Sequence, residues 1–328
     1  MLRAFSRAGG TTIAADSSPL APALYHADVA VQVPRCDEPG YIEALRAIVR
    51  EHEAELILPL TDLDPGLLAR GRAPLGALVL LPEPEIVDRA ADKLAAHAFL
   101  LSAGIGSPRT WHPDEIPRRP PFPVFLKLRY GSATKHVATA HHAEELAVLL
   151  ALREGETIVQ ELCTGEEFSL DVFCDLAGRC LNSIPRTMIE SKGGESIKGA
   201  TIGDGELIAF GQRVAEAFGV VGPATVQCFR EADGRLLVTD INLRFGGAFP
   251  LPTAAGSRYP EYALALARGE PVEARVGQFE RDLVLSCYPT HVLLKRGPEG
   301  MRLLADAASR QAVANHAKQH DWSRRGAA

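Results

Sequence analysis

The sequence predicts a protein of the α/β and α+β classes, with a small doubly wound domain followed by a larger domain. Short β-like runs alternate with helical apolar spacing over residues 1 to about 88, which indicates a parallel sheet with helices on its faces. Pro82-Glu83-Pro84 then breaks this alternation. Much later, residues 225–247 read as a β-hairpin with one polar face.

Length, composition and charge narrow the class of protein. With 328 residues, the chain should form two or three domains, and 46% hydrophobic with 23% charged residues is typical of soluble globular proteins. A net charge of -6, 6% aromatic residues and the absence of a Lys/Arg-rich run argue against a nucleic-acid partner. No apolar run reaches the roughly 18 residues of a membrane span, and no signal-peptide core is present. We therefore expect a cytoplasmic protein with no membrane partner.

The six cysteines are dispersed without Cys-x-x-Cys spacing. This distribution favours reduced, mostly buried side chains over a disulfide set or a zinc site.

The N-terminal domain should contain short strands around one clear helix. The predicted elements are strands 11–15, 29–33, 56–60 and 77–81 and a helix over 41–52. The chain begins inside an apparent helix that Gly9-Gly10 stops, so the strand expected before this helix is missing. We therefore expect the natural domain to be longer at its N-terminus. In this form it should be poorly soluble, form a homodimer through an open sheet edge, or borrow a strand.

Two lysines occupy positions that suit phosphate binding. Lys93 follows Asp92 early in a helix predicted over residues 88–103, where a lysine is ordinarily a solvated surface group. Lys127 lies on a predicted strand, 122–128, and precedes a loop of small polar residues that includes Ser132. Such a strand and loop can place an ammonium and several N–H donors over a polyphosphate.

Further strands follow this loop. Residues 157–162 form a buried run that ends at Glu161 and Leu162, and Glu167 lies at the start of the next strand. Arg186 and a polar loop over 191–199, which contains Lys198, come after a strand predicted at 180–184. Clustered cations suit the binding of a substrate carboxylate, although loops of this kind more often vary in sequence than take part in catalysis.

The hairpin carries the most specific pattern in the chain. Asp233-Gly234 predicts a two-residue type I′ turn, which places Gln227 opposite Asp240 with their Cβ atoms about 5 Å apart. Asn242 lies on the same face because side chains alternate along a strand. One carboxylate with two amides suits Mg²⁺, with Mn²⁺ as an alternative, in a shell shared with substrate phosphates.

The residues after this face suit an anion. Arg244 continues the face and can clamp phosphate oxygens, and Gly246-Gly247 allows main-chain N–H groups to approach. A half-solvated hairpin followed by a glycine turn explains the same spacing, so both interpretations stay open from the spacing alone.

The order of these motifs resembles the ATP-grasp superfamily. In particular, Gln227 followed by Asp240-x-Asn242-x-Arg244-x-Gly-Gly is similar to the synthetase halves of the carbamoyl-phosphate synthase large subunit and to related carboxylate-amine ligases. The family usually has Glu where this chain has Asp240. The resemblance implies a pre-ATP-grasp domain (1–83), an ATP-grasp domain (84–290) with a lid at about 108–160, and a C-terminal helix and tail (291–328).

The resemblance also implies a role for each candidate residue. The cofactors would be ATP and Mg²⁺, and the partners a small-molecule carboxylate and an amine. Nucleotide-binding residues would be Lys93, Lys127, Ser132, Glu161, Leu162 and Glu167; metal ligands Gln227, Asp240 and Asn242; and catalytic residues Arg244, Lys198 and Arg186.

The reaction implied is phosphoryl transfer from ATP to the carboxylate, followed by attack of an amine or ammonia on the acyl phosphate. The alternative is a nucleotide-binding module without turnover, with a regulatory or assembly role. Asp240, the glycine-poor loop after Lys127 and the missing first strand favour the module, whereas Gln227, Asn242 and Arg244 favour the ligase.

Overall fold

A computed structural model describes residues 1–131, 137–153, 155–192, 195–297 and 300–304 of the chain. Within these ranges, no helix is long and apolar enough to cross a membrane. The chain divides into two compact units, one with residues 1–53 and residues from 288 onward, the other with residues 54–287. The domain boundary predicted near Pro84 lies inside the second unit.

Helices and strands alternate along most of the described chain. The helices are α1 (Leu2–Arg7), α2 (Tyr41–His52), α3 (Pro65–Gly71), α4 (Pro84–Ala91), α5 (Lys93–Ser102), α6 (Ala143–Ala151), α7 (Gly205–Phe218), α8 (Pro250–Ala254) and α9 (Tyr259–Ala267). The strands are β1 (Ile13–Asp16), β2 (Val29–Gln32), β3 (Leu56–Ile57), β4 (Leu78–Val79), β5 (Thr110–Trp111), β6 (Val124–Leu128), β7 (Ala138–Ala140), β8 (Thr157–Glu161), β9 (Glu166–Cys174), β10 (Cys180–Thr187), β11 (Glu190–Lys192), β12 (Glu195–Ala200), β13 (Gly222–Arg230), β14 (Leu236–Asn242), β15 (Val284–Ser286), β16 (Leu294–Gly297) and β17 (Gly300–Leu303).

The strands predicted in the N-terminal region pair in parallel. In the first unit β1 pairs with β2, and in the second unit β3 pairs with β4. Leu24, in a 3-10 helix, packs against Ala14 and Ala30 of the β1–β2 pair and is only 1% exposed. The parallel pairing agrees with the predicted doubly wound arrangement.

The end of the described chain differs from the prediction. β16 and β17 pair in an antiparallel manner, so the predicted C-terminal helix is wrong for residues 294–297 and 300–303. Residues 300–303 alternate apolar and polar side chains after a glycine, which favours a strand. Residues 305–328 of the predicted helix and tail lie outside the described residues.

Two antiparallel sheets of the second unit position the candidate site. The first, sheet A, has the order β5-β8-β6-β7 and packs with α6 around Val124, Leu126 and Val159. The second, sheet B, has the order β10-β9-β13-β14. The predicted strand over residues 122–128, which carries Lys127, corresponds to β6 of sheet A.

A single row of paired residues crosses all four strands of sheet B. Arg186 of β10 pairs with Ser169 of β9, Ser169 with Gln227 of β13, and Gln227 with Asp240 of β14. Directly opposed residues in antiparallel strands project from the same face. Sheet B therefore presents a cation at one end of this row and a carboxylate at the other.

Residues 191–192 and 195–199 of the predicted polar loop are instead part of a sheet. β11, β12 and β15 form a three-stranded antiparallel sheet, in which Lys198 pairs with Ser286. The partner strand lies far along the sequence, so the local composition of residues 191–199 gave no sign of it.

The hairpin has the predicted register at the site but not the predicted turn. Glu231 and Arg235 pair around a three-residue loop, in which Gly234 has a φ of 85°. This turn shifts the register by one residue, and a β-bulge at Thr239 restores it, so that Gln227 still faces Asp240. The prediction of a type I′ turn is wrong, whereas the predicted Gln227–Asp240 pair is confirmed.

Candidate functional site

A cavity of about 290 Å³ lies over the polar row of sheet B. Sheet A contributes Lys127 to its lining, and α5 contributes Lys93 from its first residue. The predicted site residues that line it are Lys93, Lys127, Glu161, Leu162, Glu167, Arg186, Gln227, Asp240, Asn242 and Arg244. Ser132 lies outside the described residues. The fold therefore brings together side chains that the sequence spreads over about 150 residues.

The bulge at Thr239 connects the two sheets. Lys127 donates from Nζ to the Thr239 carbonyl at 2.9 Å and to Asp240 Oδ2 at 3.0 Å. Because the bulged residue leaves the strand ladder, its carbonyl is available to this ammonium. Lys127 is only 7% exposed, so the structure holds its charge against sheet B rather than in solvent.

Lys93 lies on the other side of the same carboxylate. Its Nζ is 3.6 Å from Asp240 Oδ1 and donates to the Gly131 carbonyl at 2.5 Å. Burial lowers the pKa of the Lys93 ammonium; the Asp240 carboxylate opposes this shift, and the charge of Lys127 adds to it. Two ammonium groups thus converge on one carboxylate, an arrangement suited to anionic oxygens.

The oxygen ligands predicted for a metal occupy one face. Gln227 and Asp240 are direct partners, and Asn242 lies two residues further along β14. Among the described residues, no group of three or more His, Cys, Asp and Glu side chains could hold a metal by itself. One carboxylate with two amides fits Mg²⁺ that shares its shell with phosphates, because Mg²⁺ usually takes only one or two protein carboxylates.

Glu167 and Glu161 border the other part of the cavity. Gln227 donates to Glu167 at 3.4 Å; burial raises the pKa of the Glu167 carboxyl, and the charge of Asp240 raises it further. Glu161 is paired with Arg109 at 3.1 Å, and this hydrogen bond lowers the pKa of Glu161. The Glu161 carboxylate is therefore held by Arg109.

Arg186 is a strand residue with a fixed, buried guanidinium. Its Nε donates to Asp171 Oδ2 at 2.8 Å, and Asp171 also accepts from the Thr225 hydroxyl at 3.0 Å. The two charged side chains are 4% and 7% exposed. The terminal Nη1 contacts the Met188 sulfur at 3.5 Å, and both Arg186 and Met188 line the cavity. This geometry suits a carboxylate ligand.

A glycine is required beside this guanidinium. A Cβ at Gly246 would lie 2.7 Å from the Thr225 hydroxyl and 3.5 Å from Arg186 Nη2. The main chain at Gly246 therefore lies close to the buried Arg186–Asp171 ion pair.

Arg244 has a partner that the sequence did not reveal. Its guanidinium forms two hydrogen bonds with the Asp62 carboxylate, at 2.6 and 2.8 Å, and a third with the Phe245 carbonyl at 3.2 Å. Asp62 follows the apolar run of residues 56–60, which contains β3, but nothing in the sequence indicated its partner. Arg244 lines the cavity with its fork directed to Asp62.

The structure does not bring Lys198 into the site. Its Nζ pairs with Glu190 at 2.5 Å, both side chains are about half exposed, and Lys198 is absent from the described lining of the cavity. The predicted catalytic role is therefore corrected, because the strand pairing of β11 with β12 places this ammonium beside Glu190.

Two further residues of the site region were missed. Asp171 anchors Arg186, and Asp92 binds Arg129 beside Lys93. Asp171 lies between the apolar residues Leu170 and Val172 in the buried part of β9, and a charged residue at such a position is a sign of a buried partner. The sequence carries no comparable sign for the Asp92–Arg129 pair.

Two parts of the chain match two different protein families. Residues 1–77 match a family described as PylC-like, N-terminal domain. Residues 153–287 match a family described as ATP-grasp in the biosynthetic pathway with Ter operon.

Solved structures share the fold at low sequence identity. Rhizobium etli pyruvate carboxylase is 16% identical with a TM-score of 0.71, over 86% of this chain but only 29% of that protein. Biotin carboxylase from Campylobacter jejuni, solved with an ATP analogue, is 16% identical with a TM-score of 0.70, over 86% of this chain and 71% of that protein. L-amino acid ligase from Bacillus licheniformis is 16% identical with a TM-score of 0.66, over 83% and 71%. Thus the chain spans less than a third of the pyruvate carboxylase.

Proposed function

We propose that the chain is an ATP-dependent ligase of the ATP-grasp superfamily that joins a carboxylate to an amine or ammonia, since residues 153–287 match an ATP-grasp family. One observation carries the proposal: a single cavity contains the buried Arg186 fork at one end of the sheet B row and the cluster of Lys93, Lys127 and Asp240 at the other. A carboxylate and a polyphosphate thus have separate cationic sites in one enclosure.

In this reaction the residues that line the cavity bind the nucleotide and its metal ion. Lys93 and Lys127 hold the polyphosphate, while main-chain groups near Glu161 and Leu162 bind the adenine and Glu167 takes the ribose hydroxyls. Asp240, Gln227 and Asn242 hold Mg²⁺, which neutralises phosphate charge when bound. These assignments rest on the superfamily pattern together with the lining of the cavity.

The reacting groups meet between these ends. Arg186 orients the substrate carboxylate, whose oxygen attacks the γ-phosphorus, forms an acyl phosphate and releases ADP. The amine nitrogen then attacks the acyl carbon, forms the C–N bond and releases phosphate. Arg244 stabilises the transferred phosphoryl group, so positioning and charge supply the catalysis without a nucleophilic side chain.

The test is ADP formation with pools of amino acids and small carboxylates, each with and without added amines. We expect ADP release that requires one carboxylate and increases with one amine. ATP binding without ADP formation from any pool would instead support the regulatory nucleotide-binding module.

Removal of the Lys127 ammonium should weaken ATP binding. Lys127→Met keeps much of the aliphatic stem but removes a charge-assisted donor, so we expect a loss of about 1.5–3 kcal/mol in ATP binding free energy. Calorimetry with Mg-ATP measures it. Lys198→Met is the matched control, since that lysine lies outside the cavity lining, and it should bind ATP as the wild type does. Equal affinities for all three proteins would contradict the role of Lys127.

A further inference from the structure

Asp92 accepts hydrogen bonds from two parts of the second unit, the start of α5 and residues 129–130. It is the N-cap of α5, and its Oδ1 accepts from the main-chain N–H groups of Leu94 at 3.0 Å and Ala95 at 3.3 Å. A carboxylate at this position satisfies two helix donors and interacts favourably with the helix dipole. Asp92 thereby defines where α5 begins, and Lys93 is its first residue.

The same carboxylate holds the end of β6. Arg129 donates to it from Nε at 2.8 Å and from Nη2 at 2.5 Å, and the Tyr130 hydroxyl donates at 3.1 Å. Burial would raise the pKa of the Asp92 carboxyl, but hydrogen bonds from Arg129 and the α5 main chain hold it below its ordinary value. The carboxylate is therefore charged and bound on both sides, and we call this arrangement the Asp92–Arg129 clamp.

The clamp sets the position of Lys93 relative to Gly131. The Lys93 main-chain N–H donates to the Arg129 carbonyl at 3.2 Å, and the Lys93 Nζ donates to the Gly131 carbonyl. Lys93, the first residue of α5, and Gly131, three residues after the end of β6, both line the cavity. Asp92 does not line it, so any influence on a ligand passes through these neighbours.

We propose that Asp92 is a positioning residue for the nucleotide, because its clamp to Arg129 fixes the Lys93 ammonium beside the Gly131 main chain. The inference rests on the proposed ATP-dependent function. Asp92 is not among the described residues that line the cavity, but it determines how Lys93 and Gly131, which do line it, are positioned relative to each other.

The chain contains a matched control for this clamp. Asp204 is the N-cap of α7, accepts from the main-chain N–H groups of Glu206 and Leu207 at 2.9 and 3.0 Å, and binds Arg230 at 2.7 Å. Asp204 and Arg230 do not belong to the described cavity lining. A substitution at Asp204 removes the same kind of helix cap and arginine pair without changing a neighbour of the cavity. It therefore separates the general loss of stability from an effect on the site.

The experiment compares Asp92→Asn and Asp204→Asn by thermal unfolding and by calorimetry with Mg-ATP. Asparagine still caps a helix but pairs poorly with arginine, so both variants should lose a similar amount of stability. We expect Asp92→Asn alone to weaken Mg-ATP binding, by about tenfold to a hundredfold, as a displaced binding group does.

Arg129→Gln tests the other half of the clamp without touching the helix cap. It should weaken Mg-ATP binding as Asp92→Asn does, and the double variant should be no worse than either single variant, because both changes break one interaction. Wild-type Mg-ATP affinity in Arg129→Gln or in a folded Asp92→Asn protein would overturn the proposal while leaving the ligase function intact. A wild-type protein that binds no Mg-ATP would overturn both.

Discussion

Asp240→Asn should abolish ADP formation from Mg-ATP while the protein stays folded. The substitution keeps the size of the side chain but removes the only carboxylate from the predicted ligand set, which leaves two amides and the new amide to hold a divalent cation. It also removes the counter-charge that lies 3.0 Å from Lys127 and 3.6 Å from Lys93. Both effects disturb the phosphate end of the cavity.

The measurement is ADP release at saturating Mg-ATP with the active substrate pool, beside circular dichroism of the same sample. Asp233→Asn is the control, since this residue lies in the turn of the same hairpin and pairs only with exposed Arg235 among its described ion pairs. It should keep wild-type activity. Wild-type ADP release by folded Asp240→Asn would refute the metal assignment.

Arg186→Met should destabilise the protein strongly. The Arg186–Asp171 pair is nearly buried, and removal of one partner leaves the other charge uncompensated, which typically costs about 3–5 kcal/mol of unfolding free energy. Asp171 would retain only the Thr225 hydroxyl among the side-chain partners described here. Urea denaturation measures the loss.

Two further variants test the physical reason. Arg186→Met combined with Asp171→Asn removes both charges and should recover part of the lost stability, since no buried charge remains. Arg235→Met breaks an exposed, solvent-screened pair and should cost much less stability than Arg186→Met. Similar small losses for Arg186→Met and Arg235→Met would show that the buried pair contributes nothing special to the fold.

The Gln227–Asp240 pair of the hairpin was predicted correctly, although the turn from which it was predicted was wrong. A two-residue turn was predicted, but the chain forms a three-residue loop and compensates with a bulge at Thr239. The sequence could not reveal the bulge, because its carbonyl is held by Lys127, more than a hundred residues earlier in the chain. The Gln227–Asp240 pair was therefore predictable, but the contact between the two sheets was not.

Two cationic residues show what local sequence patterns cannot predict. Arg186 and Lys198 both belong to one polar stretch, yet the first is buried against Asp171 and the second is exposed beside Glu190. Composition suggested the same role for both. Only the pairing of β10 with β9, and of β12 with β11 and β15, separates them.

The sequence by itself determined the alternation of short strands and helices in the N-terminal region, the polar face of Gln227, Asp240 and Asn242, and the order of cationic residues along the chain. These features depend on periods of two or three to four residues and on nearby glycines, so they can be read locally. The tertiary structure alone decided which charges meet: Arg244 with Asp62, Arg186 with Asp171, and Arg129 with Asp92. Such pairs form between side chains that the folded backbone brings within a few ångströms, and no periodicity in the sequence specifies that distance.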